Sequence, residues 1–323
     1  MLPTPVSLSK RKPFRRETQR LRLLLTRARI TNLGVLLLFL FALASVVLNL
    51  TYWLTWPLPI TSYPHSILST ISRRQFEGLD HLIVVPGHAI WIGSKAEDRF
   101  NDDLWTLESY QKQGGRPEAF FKHISKGVEL ANEDNSSLVV FSGGQTRPSS
   151  TTTEGESYLR LALQANLFRT SIPNQPLRAT TENYALDSYQ NFLFSIARFQ
   201  EYTGHYPRQI TIVGYEMKRK RFEELHRAAL RWPNDRFQYV GINLNRDEDA
   251  VVAEMGENLN GFLPYSRDLY GCHSELLLKR KARNAFSRFH PYHTSSPELR
   301  QLMDWCPHDG DATALFTGPL PWD

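Results

Sequence analysis

The chain has 323 residues, 41% of them hydrophobic and 22% charged. That balance excludes an intrinsically disordered protein and leaves enough apolar mass for a sizeable core. The net charge of +5 does not mark a nucleic-acid binder, because residues 1–32 hold nine of the 38 Lys+Arg and one of the 33 Asp+Glu, leaving −3 on the remainder. There is no zinc-finger spacing and no interleaving of aromatic and basic residues, so nucleic acid is not an expected partner.

The basic tail comprises Lys10, Arg11, Lys12, Arg15, Arg16, Arg20, Arg22, Arg27 and Arg29, opposed only by Glu17. It suits a cytosolic membrane surface. Residues 33–56 carry no charged side chain, and at about 1.5 Å per residue they are long enough to cross a bilayer core of roughly 30 Å. Tyr52, Trp53 and Trp56 gather at the far end as an interfacial aromatic belt would. The far side has no Lys or Arg before Arg73, so the positive-inside rule keeps the N-terminus cytosolic and sends the rest across. The expected partner of residues 33–56 is therefore the lipid bilayer. Two other readings stay open. Ala42-Leu43-Ala44 resembles a signal-peptidase site, although the apolar run continues past it, and an Arg-rich, acid-poor leader also fits a mitochondrial presequence.

A connector over 57–78, with Pro57, Pro59 and Pro64, precedes the main domain. Three short apolar runs then each end in glycine: Leu82–Val85 before Gly87, Leu138–Phe141 before Ser142-Gly143-Gly144, and Ile210–Val213 before Gly214. β-Branched, nearly uncharged runs of this length read as strands buried on both faces. Helical patterns between them predict right-handed βαβ units and a parallel sheet. A helix is expected through Leu104, Leu107 and Tyr110, another through Tyr158, Leu161, Ala162 and Ala165, and a third opened by Thr180-Thr181-Glu182-Asn183 with Ala185, Tyr189, Phe192, Ile196 and Phe199 as its apolar stripe. A charged helix follows Gly214 to about Arg231, and a fourth strand is expected at Phe237–Ile242. This places the domain at 79–255, with residues 256–323 as an extension packed on it.

Ligands of open α/β sheets bind beyond the carboxyl ends of the strands. Ser142-Gly143-Gly144 would offer backbone N–H donors to an anion there. Thr153-Glu154 and Thr181-Glu182 stand at expected helix starts, where capping and the helix dipole account for them equally well. Asn183 lies one residue further than capping needs. The run Lys218-Arg219-Lys220-Arg221 starts at a strand end, and Lys218, Phe222 and Leu225 share a helix face. Cys272 and Cys306 are the two cysteines, paired or free. Asn135-Ser136-Ser137 is a possible glycosylation site, whereas Asn49-Leu50-Thr51 falls inside the apolar span.

The order strand–Gly, Ser-Gly-Gly, Thr-x-x-Glu, Thr-x-Glu-Asn, then strand and basic helix resembles the DUF218 family over roughly residues 80–231. The run Glu216-Met217-Lys218-Arg219-Lys220-Arg221-Phe222 and the ending Leu320-Pro321-Trp322 are similar to fungal members. The resemblance implies an α/β, Rossmann-like three-layer sandwich with a mostly parallel sheet, here preceded by one transmembrane helix, and a domain outside the cytosol. It implies a polar pocket of Gly87, Ser142, Gly143, Gly144, Glu156, Thr181, Glu182 and Asn183. Arg219 or Arg221 would stand for the family's arginine. Gly214 and Tyr215-Glu216 replace the Thr-Ser and aromatic-His pair usual in bacterial members.

The expected function is binding of an anionic or nucleotide-like small molecule, with Glu156 or Glu182 as base if a phosphorylated substrate is turned over. The same pocket without chemistry is a second reading. A type II membrane glycosyltransferase is a third, since Asp247-Glu248-Asp249 spells D-x-D; the same acids also suit a helix N-terminus. No phosphate-loop, dinucleotide, nucleophile-elbow or H-E-x-x-H pattern occurs, and the sequence names no cofactor.

Overall fold

A computed structural model of the chain describes residues 14–55, 70, 76–112, 115–168, 176–243 and 247–323. The chain forms two compact units, Met1–Thr61 and Ser62–Asp323. In the first, helix α1 runs over Phe14–Thr55. Its segment Asn32–Leu54 is 23 residues long and is long and apolar enough to cross a membrane. Lys10, Arg11, Lys12, Trp56 and most of the expected connector lie outside the described residues.

The second unit is built on a five-stranded sheet. Its strands are β1 (His81–Pro86), β4 (Ser137–Ser142), β5 (Ala179–Glu182), β6 (Gln209–Tyr215) and β7 (Phe237–Ile242). The spatial order is β5-β4-β1-β6-β7, and every pairing is parallel. Counted along the chain, the five strands stand in the order 3-2-1-4-5, the doubly wound arrangement that reverses between its first and fourth strands. A separate two-stranded ribbon, β2 (Ile90–Trp91) and β3 (Trp105–Thr106), is antiparallel.

Both faces of the sheet are covered, which is why its three central strands are largely apolar. Leu82, Val84, Leu138, Val140, Ile210 and Ile212 face helix α4 (Ser188–Thr203) and much of the C-terminal region. Ile83, Val85, Val139, Phe141 and Val213 face α2 (Arg116–Glu133) and α3 (Glu154–Gln164). The chain is thus a three-layer α/β domain, as expected. Tyr265, Tyr270, Tyr292, Leu302 and Trp322 belong to the same apolar cluster as the sheet, so residues 256–323 complete the core.

Two expected elements differ, and one element was not expected. The segment through Leu104, Leu107 and Tyr110 forms β3 and single 3-10 turns. Its tryptophan side chain explains the difference, since Trp105 is buried against Phe120 and Tyr158 and pulls the segment extended. The Thr180-Thr181-Glu182 stretch forms the edge strand β5, and α4 starts only at Ser188 behind its cap Asp187. Two β-branched threonines on a half-polar edge leave no apolar run to read. Helix α2 had no counterpart among the expected elements.

After β7 comes α5 (Asp247–Glu257), continued by a π-helical turn (Asn258–Phe262) and Leu263–Arg267, then α6 (Ser274–Arg283). Asp247 to Asp249 form the first turn of α5, where the helix dipole favours acids. Cys272 and Cys306 are joined in a disulfide.

Candidate functional site

The β1–β4 ladder runs to Pro86↔Ser142, but the β1–β6 ladder stops at Val84↔Ile212. The two central strands therefore part at their carboxyl ends, at the point where the sheet reverses direction. Such a switch point is where an open α/β sheet leaves a crevice.

The loops after β1, β4 and β5 meet beside this crevice. The Gly87 N–H donates to Ser142 O at 2.6 Å, that of Gly143 to Glu182 O at 3.0 Å, and that of Gly144 to Ala185 O at 2.7 Å. This corrects the expected anion cradle, because all three glycine N–H groups are spent on neighbouring loops. What the glycines provide is room. A Cβ on Gly87 would stand 2.5 Å from the Cβ of Glu154, and one on Gly143 would stand 2.7 Å from it. A Cβ on Gly155 would strike the Phe141 carbonyl oxygen at 2.4 Å, so the start of α3 lies directly on the end of β4.

Glu154 is the acid that this close approach brings in. Its side chain is buried and accepts from Thr146 Oγ1 at 2.5 Å. Glu156, the expected base, is exposed; its backbone N–H is held by the Thr153 cap at 3.0 Å. The helical register explains the exchange. Glu154 stands four residues before Tyr158 and seven before Leu161, on the inward stripe, and Glu156 falls between stripes. That count was available from the sequence.

Glu182 and Ser142 are both fully buried. Glu182 accepts from Ser142 Oγ at 2.7 Å, from the Tyr184 N–H at 2.7 Å, from the Ala185 N–H at 3.2 Å and from Tyr292 OH at 3.2 Å. Ser142 Oγ also lies 2.9 Å from Asn191 Oδ1. Burial pushes the Glu182 carboxyl up to about 7 despite these donors. The structure therefore places Glu182 as an internal tie between β4, β5, α4 and the C-terminal region, away from any surface a ligand could reach. Thr181 and Asn183 share this edge: Asn183 Nδ2 donates to Thr181 Oγ1 at 3.1 Å, and Thr153 Oγ1 donates to Asn183 Oδ1 at 2.7 Å.

The loops after β1 and β6 supply the basic side of the crevice. His88 stacks on Tyr215 with ring centroids 5.1 Å apart, and Tyr215 meets His123 of α2 edge-on at 4.6 Å. Lys218 Nζ lies 3.4 Å from His88 Nδ1 and 5.5 Å from the Tyr215 ring centre. His88 Nε2 and both ring nitrogens of His123 are buried without a hydrogen-bond partner. Burial holds His88 well below its ordinary range, and Lys218 adds to that effect. Burial also brings Lys218 down to about 7; Arg221 and Arg283 push the same way, and Glu257 and Glu154 oppose them.

The two expected arginines separate. Arg219 is chelated by Glu216 at 2.6 and 2.7 Å, reaches Glu223 at 3.0 Å, and donates to Tyr239 O at 2.9 Å. It borders a cavity of 250 Å³ with Tyr215, Lys220, Asn243 and Glu254, but its donors are engaged. Arg221 is nearly buried, with Nε 3.2 Å from Glu257 Oε1. It belongs with Lys218. Lys218 was placed in the sequence on the face shared with Phe222, which is buried; a lysine on a buried face is the signal that could have identified it. His88 carries no signal beyond following the first strand-end glycine.

No family model matches the chain, and no solved structure matches it. The comparison with curated proteins finds the uncharacterized protein YOR238W of Saccharomyces cerevisiae, 30% identical over 65% of this chain and 86% of that protein. The chain belongs to the family of that yeast protein.

Proposed function

We propose that this is a single-pass membrane protein whose DUF218-like α/β domain binds an anionic, phosphate-bearing or nucleotide-like small molecule at the crevice between β1 and β6. The supporting observation is Lys218. It is a half-buried ammonium at the switch point, and none of the ion pairs among the described residues includes it. Its Nζ lies 3.4 Å from His88 Nδ1, and its field includes Arg221 and Arg283 as well as Glu257 and Glu154. A partly desolvated ammonium with no ion-pair partner costs free energy until a counter-charge reaches it, and a phosphate group with several acceptor oxygens supplies it. Lys218 and Arg221 would hold that group, and His88 Nε2 has an unused site to offer. Glu154 would take a proton from a bound hydroxyl or water if the ligand is turned over.

The anchor reading puts residues 1–32 in the cytosol and the domain in the secretory lumen or outside. The Cys272–Cys306 disulfide supports an oxidising compartment. Asn135 is exposed in the turn before β4, where a glycan would be accommodated.

The binding reading is tested by calorimetric titration of the full-length protein in lipid nanodiscs with inorganic phosphate, pyrophosphate and ADP. At least one should bind saturably. Lys218→Met should weaken that binding at least tenfold, and Arg219→Gln should change it less than threefold. Absence of saturable binding by all three, or equal binding by Lys218→Met, overturns the proposal.

A further inference from the structure

Helix α5 is built inside out. Val251, Val252, Met255 and the following Leu259 are 60%, 71%, 62% and 63% exposed. At helical spacing these positions fall on one stripe about 100° wide. Glu254 and Glu257 lie off this stripe. Glu257 meets Arg221 at 3.2 Å, with both side chains 9% exposed, and Glu254 borders the cavity beside Arg219 and Lys220. A helix of a water-soluble domain normally turns these two faces the other way.

We infer that the apolar stripe of α5 docks on the bilayer, buried shallowly among the headgroups and upper acyl chains. The inference rests on the reading of α1 as a membrane anchor. Three observations favour lipid over a protein partner. First, the same chain carries a segment able to span the membrane, and only 20 residues lie between Thr55 and Phe76. Even fully extended, a chain of that length spans only about 70 Å. Second, the stripe is aliphatic throughout. It has none of the Tyr, Trp or Arg anchors that concentrate binding energy in protein interfaces, and Glu248, which shares its register, stands at the end of the stripe in the first turn of α5. Third, Lys279 Nζ reaches the Asn260 carbonyl oxygen at 3.1 Å. This sets an amine on a long apolar stem at the end of the stripe, where it can extend to the headgroups. Binding of this kind follows the apolar area buried and needs no net positive charge. The acidic first turn of α5 is therefore compatible with a neutral outer or luminal leaflet.

The test uses the full-length protein in phosphatidylcholine vesicles with and without brominated acyl chains. Both native cysteines are bonded to each other, so an introduced cysteine can be labelled with an environment-sensitive fluorophore without reduction. Labels are placed singly at Val252→Cys, Leu259→Cys, Leu163→Cys on the exposed side of α3, and Phe41→Cys in α1. Bromolipid should quench positions 252 and 259 at least threefold more than 163. Quenching at 41 together with 252 and 259 no different from 163 overturns the docking and leaves the anchor standing. An unquenched 41 overturns the anchor, and the docking with it. Blue-shifted emission at 259 without bromolipid quenching shows that a second copy or another protein covers the stripe, which also overturns the proposal. Each cysteine replaces an exposed side chain, so unchanged melting temperatures should accompany all four variants.

Discussion

Lys218 and Glu182 are both shifted to about 7, for opposite reasons and with opposite consequences. For Lys218 burial removes charge, and an anion restores it. The contribution of Lys218 to phosphate or pyrophosphate affinity should therefore be fully present below pH 7 and fall up to tenfold per pH unit above the pKa of the free protein, about 7, as the amine loses its proton. Titrations at pH 6, 7, 8 and 9 would show the decline, and Lys218→Arg should flatten it, because a guanidinium keeps its charge. For Glu182 burial retains a proton. Its folded-state pKa lies above the unfolded value, so its stabilising contribution is complete below about 4.5 and is lost as pH rises through about 7. The upper bound is about 3 kcal/mol. Glu182→Gln should remove that pH dependence, yet at pH 7 it should cost about 1–3 kcal/mol, because the amide NH2 would replace one acceptor oxygen and face either Ser142 Oγ or the Tyr184 N–H, each of which donates to Glu182. Urea unfolding of both proteins between pH 4 and 8 measures the two effects. Equal stability at every pH would mean that Glu182 is neither buried nor donor-bound as described.

At the scale of elements, the central strands were the easiest to read, and the edges were the hardest. β1, β4 and β6 are largely apolar because both faces are covered, so residues such as Val84 and Ile212 declare them without reference to the rest of the chain. β5 is short and half polar, and it exists only because β4 offers it a ladder from Val139↔Ala179 to Ser142↔Glu182. A partner of that kind leaves no local pattern. The placement of Glu154 was readable from helix periodicity. The engagement of the glycine N–H groups was not, since each bonds to a carbonyl on a different loop. The same distinction separates two glycines within helices. Gly155→Ala should be severely destabilising, by several kcal/mol, because its Cβ meets backbone oxygens of Phe141 at 2.4 Å and Glu182 at 2.8 Å, which cannot swing away. Gly256→Ala in α5 meets nothing within 4 Å and should raise stability by about 0.5–1 kcal/mol through helix propensity and reduced unfolded-state freedom. Thermal melts of the two variants should move in opposite directions.

Across the whole molecule, the C-terminal region is part of what closes the core. Trp322 Nε1 donates to Leu230 O at 2.9 Å and its ring lies 5.0 Å from that of Trp232, while Tyr292 reaches Glu182 at the opposite end of the sheet. The disulfide lies in this region and joins positions 34 apart in the sequence. Linking a loop of this length should stabilise the fold by roughly 3–4 kcal/mol in a chain-entropy account. That contribution persists only where thiols stay oxidised, which couples the stability of the domain to the side of the membrane it occupies. If the basic tail remains cytosolic, the domain should resist added protease in intact microsomes and become sensitive once detergent opens them. Protein made in the same microsomes should show Asn135-dependent glycosylation, seen as a mobility shift lost on endoglycosidase treatment and absent in Asn135→Gln. It should also carry no thiol reactive to maleimide before reduction. Digestion of the domain in sealed vesicles, with both cysteines free to react, would place it in the cytosol and reverse the topology.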